Sequence, residues 1–315
     1  MSKNQKIHFI GIGGAGMSAI AKVLLEQGYQ VSGSDLKESR YTKSLQALGA
    51  NVAIGHSPSN LNGAKIVVIS TAIPAHNVEL TAAKEKGLTV LSRAQMLARI
   101  ANKKETVAVA GTHGKTTTTS LIAHLLQTAG LSPTFLIGGE LNDIGSNAQY
   151  GQGSYCVVEA DESDGSLINI KPKVEVVTNL DTDHLDYYQS FTRLVETFKR
   201  WVASLPNDGC LLINQQTAAL NELLKVCPAK AITYGATADA DYYYEATELS
   251  GFASHFKVYT YGKCLGSFLL NIPGLHNIEN AVAAVALSQH LQLDLEVVKQ
   301  ALASFKGVKR RWQLL

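Results

Sequence analysis

At 315 residues the chain is long enough for two domains with separate cores, and its 28 basic against 26 acidic side chains leave a formal charge of +2. So even a balance argues against a protein that grips nucleic acid through its phosphates. Charged residues make up 17% and apolar ones 46%, which excludes disorder, and no run approaches the roughly 18 apolar residues of a membrane-spanning helix. The class expected is a soluble, mixed α/β protein of two domains.

Met1–Lys6 followed by Ile7–Leu25 loosely imitates a signal peptide. Glycines at 11, 13, 14 and 16, with Lys22 and Glu26 behind them, suit a strand, a tight turn and a helix instead. Ile7–Ile10 reads as the strand and Gly11–Gly16 as the turn. Met17–Gln27 has apolar residues at 17, 20, 21, 24 and 25, a helical period that stops at Gly28. A second strand, Gln30–Gly33, ends at Asp35, and further runs follow at Ile66–Ser70 and Thr89–Leu91. Strands alternating with helices predict a parallel, doubly wound sheet.

The polar break Asn102–Glu105 places a domain boundary near residue 103, giving domains 1–103 and 104–315. In the second, Thr106–Ala110 is a strand, followed by a glycine turn and a helix with apolar residues at 121, 122, 125, 126 and 129 that Gly130 caps. Strands Cys156–Glu159 and Glu175–Asn179 come next. Tyr242–Glu245, Phe256–Tyr261 and Ser267–Ile272 predict a small antiparallel sheet. There the Tyr242–Tyr244 cluster is better read as strand tyrosine than as a base-stacking platform. Cysteines 156, 210, 227 and 264 form no CxxC pair, which fits reduced thiols better than disulfides or zinc.

Two loops carry the chemistry. Gly111-Thr112-His113-Gly114-Lys115-Thr116, with Thr117 behind it, lies between a strand and a helix. Such a P-loop wraps phosphates with backbone amides, brings Lys115 to the β/γ-phosphates and offers the Thr116 hydroxyl to Mg²⁺. The general pattern asks for glycine at 109, where this chain has Val109. The other loop, Gly11-Ile12-Gly13-Gly14-Ala15-Gly16 with Met17, Ser18 and the later Asp35, has the form of a dinucleotide fingerprint, though a plain strand-to-helix turn would use the same glycines. A dehydrogenase needs one such loop and a simple ATPase needs the other. A chain with both more readily brings ATP to a second phosphate-bearing substrate.

The GIGGAGMS start, GTHGKTTTT, Glu159-Ala-Asp-Glu-Ser-Asp164, Asn179-Leu-Asp-Thr-Asp-His184-Leu-Asp186, His276-Asn277 with Asn280, and Gly307-Val-Lys-Arg-Arg311 occur in that order. Together they resemble the Mur ligase family over essentially the whole chain, and the family's shorter G-T-x-G-K-[TS] loop accommodates Val109. The resemblance implies a Rossmann-like domain (1–103) for a UDP-sugar and a central ATP-binding domain (104–315). It also implies a C-terminal domain beyond Arg311 that this chain lacks, so that residues 1–315 alone would not complete the reaction. The branch matched best joins L-alanine to the carboxylate of UDP-N-acetylmuramate through an acyl phosphate. That reaction uses ATP and Mg²⁺ in cytoplasmic peptidoglycan precursor synthesis, with no nucleic-acid or membrane partner.

The resemblance also assigns residues. Lys115, Glu159 and His184 would be catalytic, with Thr116, Glu159 and His184 at the metal and Asp161, Glu162, Ser163 and Asp164 as further candidates. Glu159 at a strand end suits Mg²⁺ on its own chemistry, although an acidic run is also a common solvated surface. His276 and Asn277 would meet adenine, with Asn280 one turn on; the alternative is an Asn cap opening a helix Ile278–Leu291. Arg310 or Arg311 would contact phosphate. Gly11–Ser18 would hold the UDP pyrophosphate, and Asp35, His56 and Ser70 the uridine and sugar. Lys199 lies where some Mur ligases carry a carbamylated lysine, which the alanine-adding branch does without. The rivals are a nicotinamide-dependent oxidoreductase, the related ligase that recycles muramyl tripeptide, and a non-catalytic nucleotide-binding module.

Overall fold

The computed structural model describes residues 5–142, 145–162, 165–181 and 190–308. The chain divides into two compact units: Met1–Ile100 with Thr134–Gly138 and Asn147–Gly151, and Ala101–Pro133 with Gly139–Ser146 and Gln152–Leu315. Among the described residues no helix is long and apolar enough to cross a membrane.

The first unit is built around Ile7–Ile10, all of whose side chains are fully buried. A strand covered on both faces belongs in a parallel sheet flanked by helices. Strands β1 (Lys6–Ile10), β2 (Val31–Asp35), β3 (Asn51–Ile54), β4 (Ala64–Ile69) and β5 (Thr89–Ser92) form that sheet in the order β3-β2-β1-β4-β5, every pair parallel. The intervening helices are α1 (Ala15–Glu26), α2 (Arg40–Ala47), α3 (Val78–Glu85) and α4 (Arg93–Ala101). Helix α1 buries Met17, Ile20, Ala21, Val23 and Leu24 and ends at Gly28, whose φ of +83° only glycine takes easily. Strand order reverses between β1 and β4, and open α/β sheets bind ligands beyond the carboxyl ends of their strands at such a point.

Beyond Ala101 the chain starts again with β6 (Glu105–Ala110) and α5 (Lys115–Thr128). Then come β7 (Thr134–Leu141), β8 (Ser146–Gln149), β9 (Tyr155–Glu159), β10 (Val174–Val177), α6 (Phe191–Val202), β11 (Cys210–Asn214), α7 (Leu220–Val226) and β12 (Lys230–Gly235). Last are β13 (Tyr242–Ser250), β14 (Ala253–Thr260), β15 (Lys263–Leu270), α8 (Leu275–His290) and α9 (Leu295–Ser304). The sheet order is β15-β14-β13-β12-β11-β10-β6-β9-β7-β8. From β9 through β12 the neighbours are parallel, and β13, β14 and β15 pair antiparallel. The small antiparallel sheet expected from the sequence is therefore not separate. It continues the main sheet because the start of β13 pairs with the end of β12 through Tyr234–Tyr242 and Gly235–Tyr243. The four cysteines are free thiols: Cys156 and Cys210 are buried, Cys227 half-buried and Cys264 exposed.

Glu175 on β10 departs from ordinary core chemistry. It is 0% exposed, and neither carboxyl oxygen has a hydrogen-bond partner. Burial pushes its carboxyl well above the usual carboxylate range. A folded-state value above the unfolded one means that the group's contribution is fully present below the unfolded value, near 4.5, and is lost as pH rises towards the folded value. While the unfolded chain is ionised and the folded one is not, that loss amounts to about 1.4 kcal/mol per pH unit. Chemical denaturation from pH 5 to 8 should therefore show stability falling more steeply in the wild type than in Glu175→Gln. Parallel curves for the two proteins would contradict this account.

Candidate active site

In the second unit, β6 ends at Ala110 and α5 opens at Lys115, leaving Gly111–Gly114 to turn the chain. Gly111 has φ +132° and Gly114 φ +81°, and a Cβ on Gly114 would lie 2.6 Å from Asn280 Oδ1. The loop is clamped from the end of β10. Thr112 N donates to Asn179 O (3.0 Å), His113 N donates to Asn179 Oδ1 (2.8 Å), and Asn179 Nδ2 donates back to His113 O (3.0 Å). Thr178 Oγ1 also donates to His113 O (2.6 Å), and Asp181 N donates to Thr112 Oγ1 (2.9 Å). The clamp has a legible position, just past the strand beside β6, but its partner residues lie more than sixty positions away. Helix α5 has no side-chain cap, so its first-turn amides are open to an anion.

Lys115 Nζ donates to Gly111 O (2.6 Å), Thr112 O (3.1 Å) and Glu162 Oε1 (2.7 Å). Glu162 is fully buried; burial holds its carboxyl above the usual value, against the downward pull of Lys115. Thr116 Oγ1 donates to Glu159 Oε1 (3.1 Å) at the end of β9. These are adjacent hard oxygens, the donor chemistry that Mg²⁺ takes. Among the described residues no group of three or more His, Cys, Asp or Glu could hold a metal. Asp161 is half-buried beside this pair in sequence. His184, Ser163, Asp164, Arg310 and Arg311 lie outside the described residues.

Helix α8 supplies the other wall. It opens at Leu275 with Gly274 as its cap, so the alternative of an Asn cap before Ile278 does not hold. Asn277 already lies inside the first turn, where its Nδ2 donates to Pro273 O (2.7 Å). Asn280 Oδ1 accepts from Thr118 Oγ1 of α5 (3.0 Å) and packs on Gly114. A cavity of about 300 Å³ is lined by His113, Gly114 and Thr117, by His276, Asn277 and Asn280, and by Ile272, Gly307 and Val308. Residues predicted from two stretches about 160 positions apart thus share one pocket. Lys199, by contrast, pairs with Glu196 (2.6 Å) and Glu222 (3.8 Å) on the helices α6 and α7.

In the first unit, Gly11 N and Ile12 N donate to Ser34 O (2.8 and 3.0 Å), and Gly13 N donates to Asp35 Oδ2 (2.8 Å). A Cβ on Gly13 would lie 2.9 Å from that oxygen. Gly14 caps α1 without a side-chain bond, again leaving first-turn amides open. Ile12, Met17 and Ser18 are buried, and Ser18 Oγ donates to Ala15 O (2.9 Å). Ser70 Oγ lies beside Gly11, and His56 Nδ1 faces Ser34 Oγ (3.0 Å). Sequence reasoning missed two neighbours of this loop. The Arg93 side chain passes over Gly16, with its Cδ 3.2 Å from where a Cβ would stand. Asn147 Nδ2 donates to Ala15 O (3.1 Å).

Residues 6–105 match the family model for the Mur ligase family, catalytic domain, and residues 109–288 match the one for the Mur ligase middle domain. The chain belongs to the Mur ligase family. It is 44% identical, over 99% of its length and 68% of the relative's, to a UDP-N-acetylmuramate–L-alanine ligase from Geotalea daltonii. Two solved Mur ligases share the fold closely. A UDP-N-acetylmuramate–alanine ligase from Thermotoga maritima superimposes with a TM-score of 0.88 at 32% identity, covering 98% of this chain and 70% of that one. The UDP-N-acetylmuramate:L-alanyl-γ-D-glutamyl-meso-diaminopimelate ligase from Neisseria meningitides gives 0.87 at 31%, covering 97% and 99%.

Proposed function

We propose that this Mur ligase joins L-alanine to the carboxylate of UDP-N-acetylmuramate at the expense of ATP, in cytoplasmic synthesis of a peptidoglycan precursor. The observation that carries the reading is a pair of open anion-binding loops, each at the carboxyl ends of the parallel strands of its own sheet. Curated relatives at 44–46% identity bear the alanine-ligase name, which supports this substrate over the tripeptide taken by the Neisseria enzyme. On this reading residues 1–103 hold the UDP-sugar and residues 104–315 hold ATP.

A carboxylate does not acylate an amine in water without activation. Transfer of the γ-phosphoryl group of ATP to the muramate carboxylate forms an acyl phosphate and releases ADP. The free amine of L-alanine then attacks the carbonyl carbon and phosphate leaves. The loop amides and Lys115 hold the charge that builds on the transferring group. Thr116 and Glu159, with His184, would hold Mg²⁺, which supplies Lewis-acid neutralisation of phosphate charge. His276, Asn277 and Asn280 line the nucleotide pocket, and Arg311 is assigned to phosphate. Gly11–Ser18 would take the pyrophosphate through backbone amides, with Asp35, His56 and Ser70 on the uridine and sugar side.

Acid-quenched product analysis of the whole protein with ATP, Mg²⁺, UDP-N-acetylmuramate and L-alanine should give the L-alanyl product. Exclusive use of L-alanyl-γ-D-glutamyl-meso-diaminopimelate would transfer the chain to the other branch, and NADH binding without ATP binding would discard both. For the metal, Glu159→Ala should shift half-maximal Mg²⁺ to a concentration about tenfold or more higher. A superimposable Mg²⁺ titration would return Glu159 to an ordinary surface acid.

A further inference from the structure

Glu79, in the first turn of α3, is 0% exposed, and the loop chemistry above makes no use of it. Five groups converge on its carboxylate. Ser57 N (3.1 Å) and Asn60 Nδ2 (2.5 Å) donate to Oε1, while Ser34 Oγ (2.5 Å), His56 Nδ1 (3.3 Å) and His8 Nε2 (3.5 Å) face Oε2. Burial alone would push this carboxyl up, but His8, Ser34, Asn60 and Ser57 outweigh it and bring it down to about 2. Glu79 is thus ionised at any working pH.

That charge decides where the neighbouring hydrogens lie. An ionised carboxylate only accepts, so the Ser34 hydroxyl hydrogen points to Oε2. With its hydrogen committed, Ser34 Oγ accepts from His56 Nδ1 at 3.0 Å. Nδ1 therefore carries the hydrogen, and in a neutral imidazole the opposite nitrogen, Nε2, is then a bare acceptor. The His56 side chain is 14% exposed, and Nδ1 is the ring nitrogen that faces Ser34 and Glu79. The place is informative too. Gly55 N donates to Asp35 O (2.8 Å), and Ser34 O receives the Gly11 and Ile12 amides. Ser34 thus holds the glycine loop with its main chain and His56 with its side chain.

We propose that Glu79 and Ser34 are positioning residues that lock His56 with hydrogen on Nδ1 and present Nε2 to an N–H or O–H donor of the nucleotide-sugar. The assignment rests on the reading of the first unit as the UDP-sugar site. A solvent-exposed histidine has no such constraint, so the relay would add orientation at a position that must recognise a donor.

Two measurements on the unliganded and liganded chain test this. Long-range ¹H–¹⁵N spectra of the histidine rings should show His56 with hydrogen on Nδ1 in the wild type, and a shift towards the Nε2–H form in Glu79→Gln and in the milder Ser34→Ala. Calorimetry should show both variants weakening UDP-N-acetylmuramate binding by about three- to tenfold, with ATP affinity unchanged. An equal loss with UDP alone would put the donor on the uridine diphosphate half, and a loss confined to the complete ligand would put it on the sugar. A wild-type His56 with hydrogen on Nε2, or Ser34→Ala binding the UDP-sugar with wild-type affinity, would overturn the positioning role. Absence of any UDP-N-acetylmuramate binding by the wild type would instead overturn the reading of the unit itself.

Discussion

In a full-length enzyme of the family, Lys115→Ala is expected to lower kcat for product formation by about 10²–10³-fold or more, the range seen when one donor aimed at developing charge is removed. Its Nζ already sits against the two loop carbonyls, Gly111 O and Thr112 O, and against Glu162. The ammonium is therefore held at the mouth of the loop before phosphate arrives. Alanine removes that charge and also strips a partner from a fully buried carboxylate. The double replacement Lys115→Ala with Glu162→Gln separates the two effects. It should recover thermal stability lost by the single variant without recovering turnover. Arginine is not expected to rescue, because its planar fork cannot occupy a slot built around a compact ammonium. Near-normal product formation by Lys115→Ala would end the P-loop account.

Gly111→Ala should remove measurable ATP binding and cost about 1–3 kcal/mol of stability, the scale of one strained backbone position. Two constraints meet at this residue. Its φ of +132° is one that L-residues rarely adopt, and an added Cβ would stand 2.7 Å from Asn179 O and 2.9 Å from Asn179 N. Neither of those atoms can move without undoing the clamp on Thr112 and His113. Gly130→Ala is the matched control, since Gly130 also has positive φ (+74°) but faces open space. The control should lose a little stability and keep ATP affinity, and UDP-sugar binding should survive both changes. Normal ATP titrations for Gly111→Ala would show that the close approach of β10 has no part in shaping the site.

The sequence carried the fold where a local pattern and a global demand coincide. Ile7–Ile10 and Thr106–Ala110 are runs too apolar for anything but covered strands, and glycines follow each where the chain must turn into a helix. The alternating, tyrosine-rich runs from Tyr242 onward marked the antiparallel edge equally well. What stayed hidden depends on atoms far apart in the chain. Asn179 looks like one more strand-end polar residue until its carboxamide is seen bracketing His113. Glu79 sits where acids commonly favour a helix start, and nothing local says that two histidines, a serine and an asparagine will surround it. Glu175 reads in the sequence as one more residue of a strand, yet it is fully buried in the sheet. Helix α8 begins before the expected Ile278 because Gly274, with φ +109°, makes the turn that opens it.

The distribution of thiols across the second unit gives it a built-in clock. Cys264 is exposed, Cys227 half-buried, and Cys156 and Cys210 lie in the sheet on β9 and β11, where burial pushes both thiols up to about 12. Alkylation requires the thiolate and access together, so Cys264 should react at once, Cys227 more slowly, and the sheet pair only in molecules whose strands have parted. All four positions belong to the same unit. The rate at which the inner pair acquires label would therefore measure how often the half assigned to ATP opens, without reporting on the half assigned to the UDP-sugar. Added nucleotide should slow that labelling and added UDP-sugar should not, which turns the buried pair into a meter for one of the two ligands.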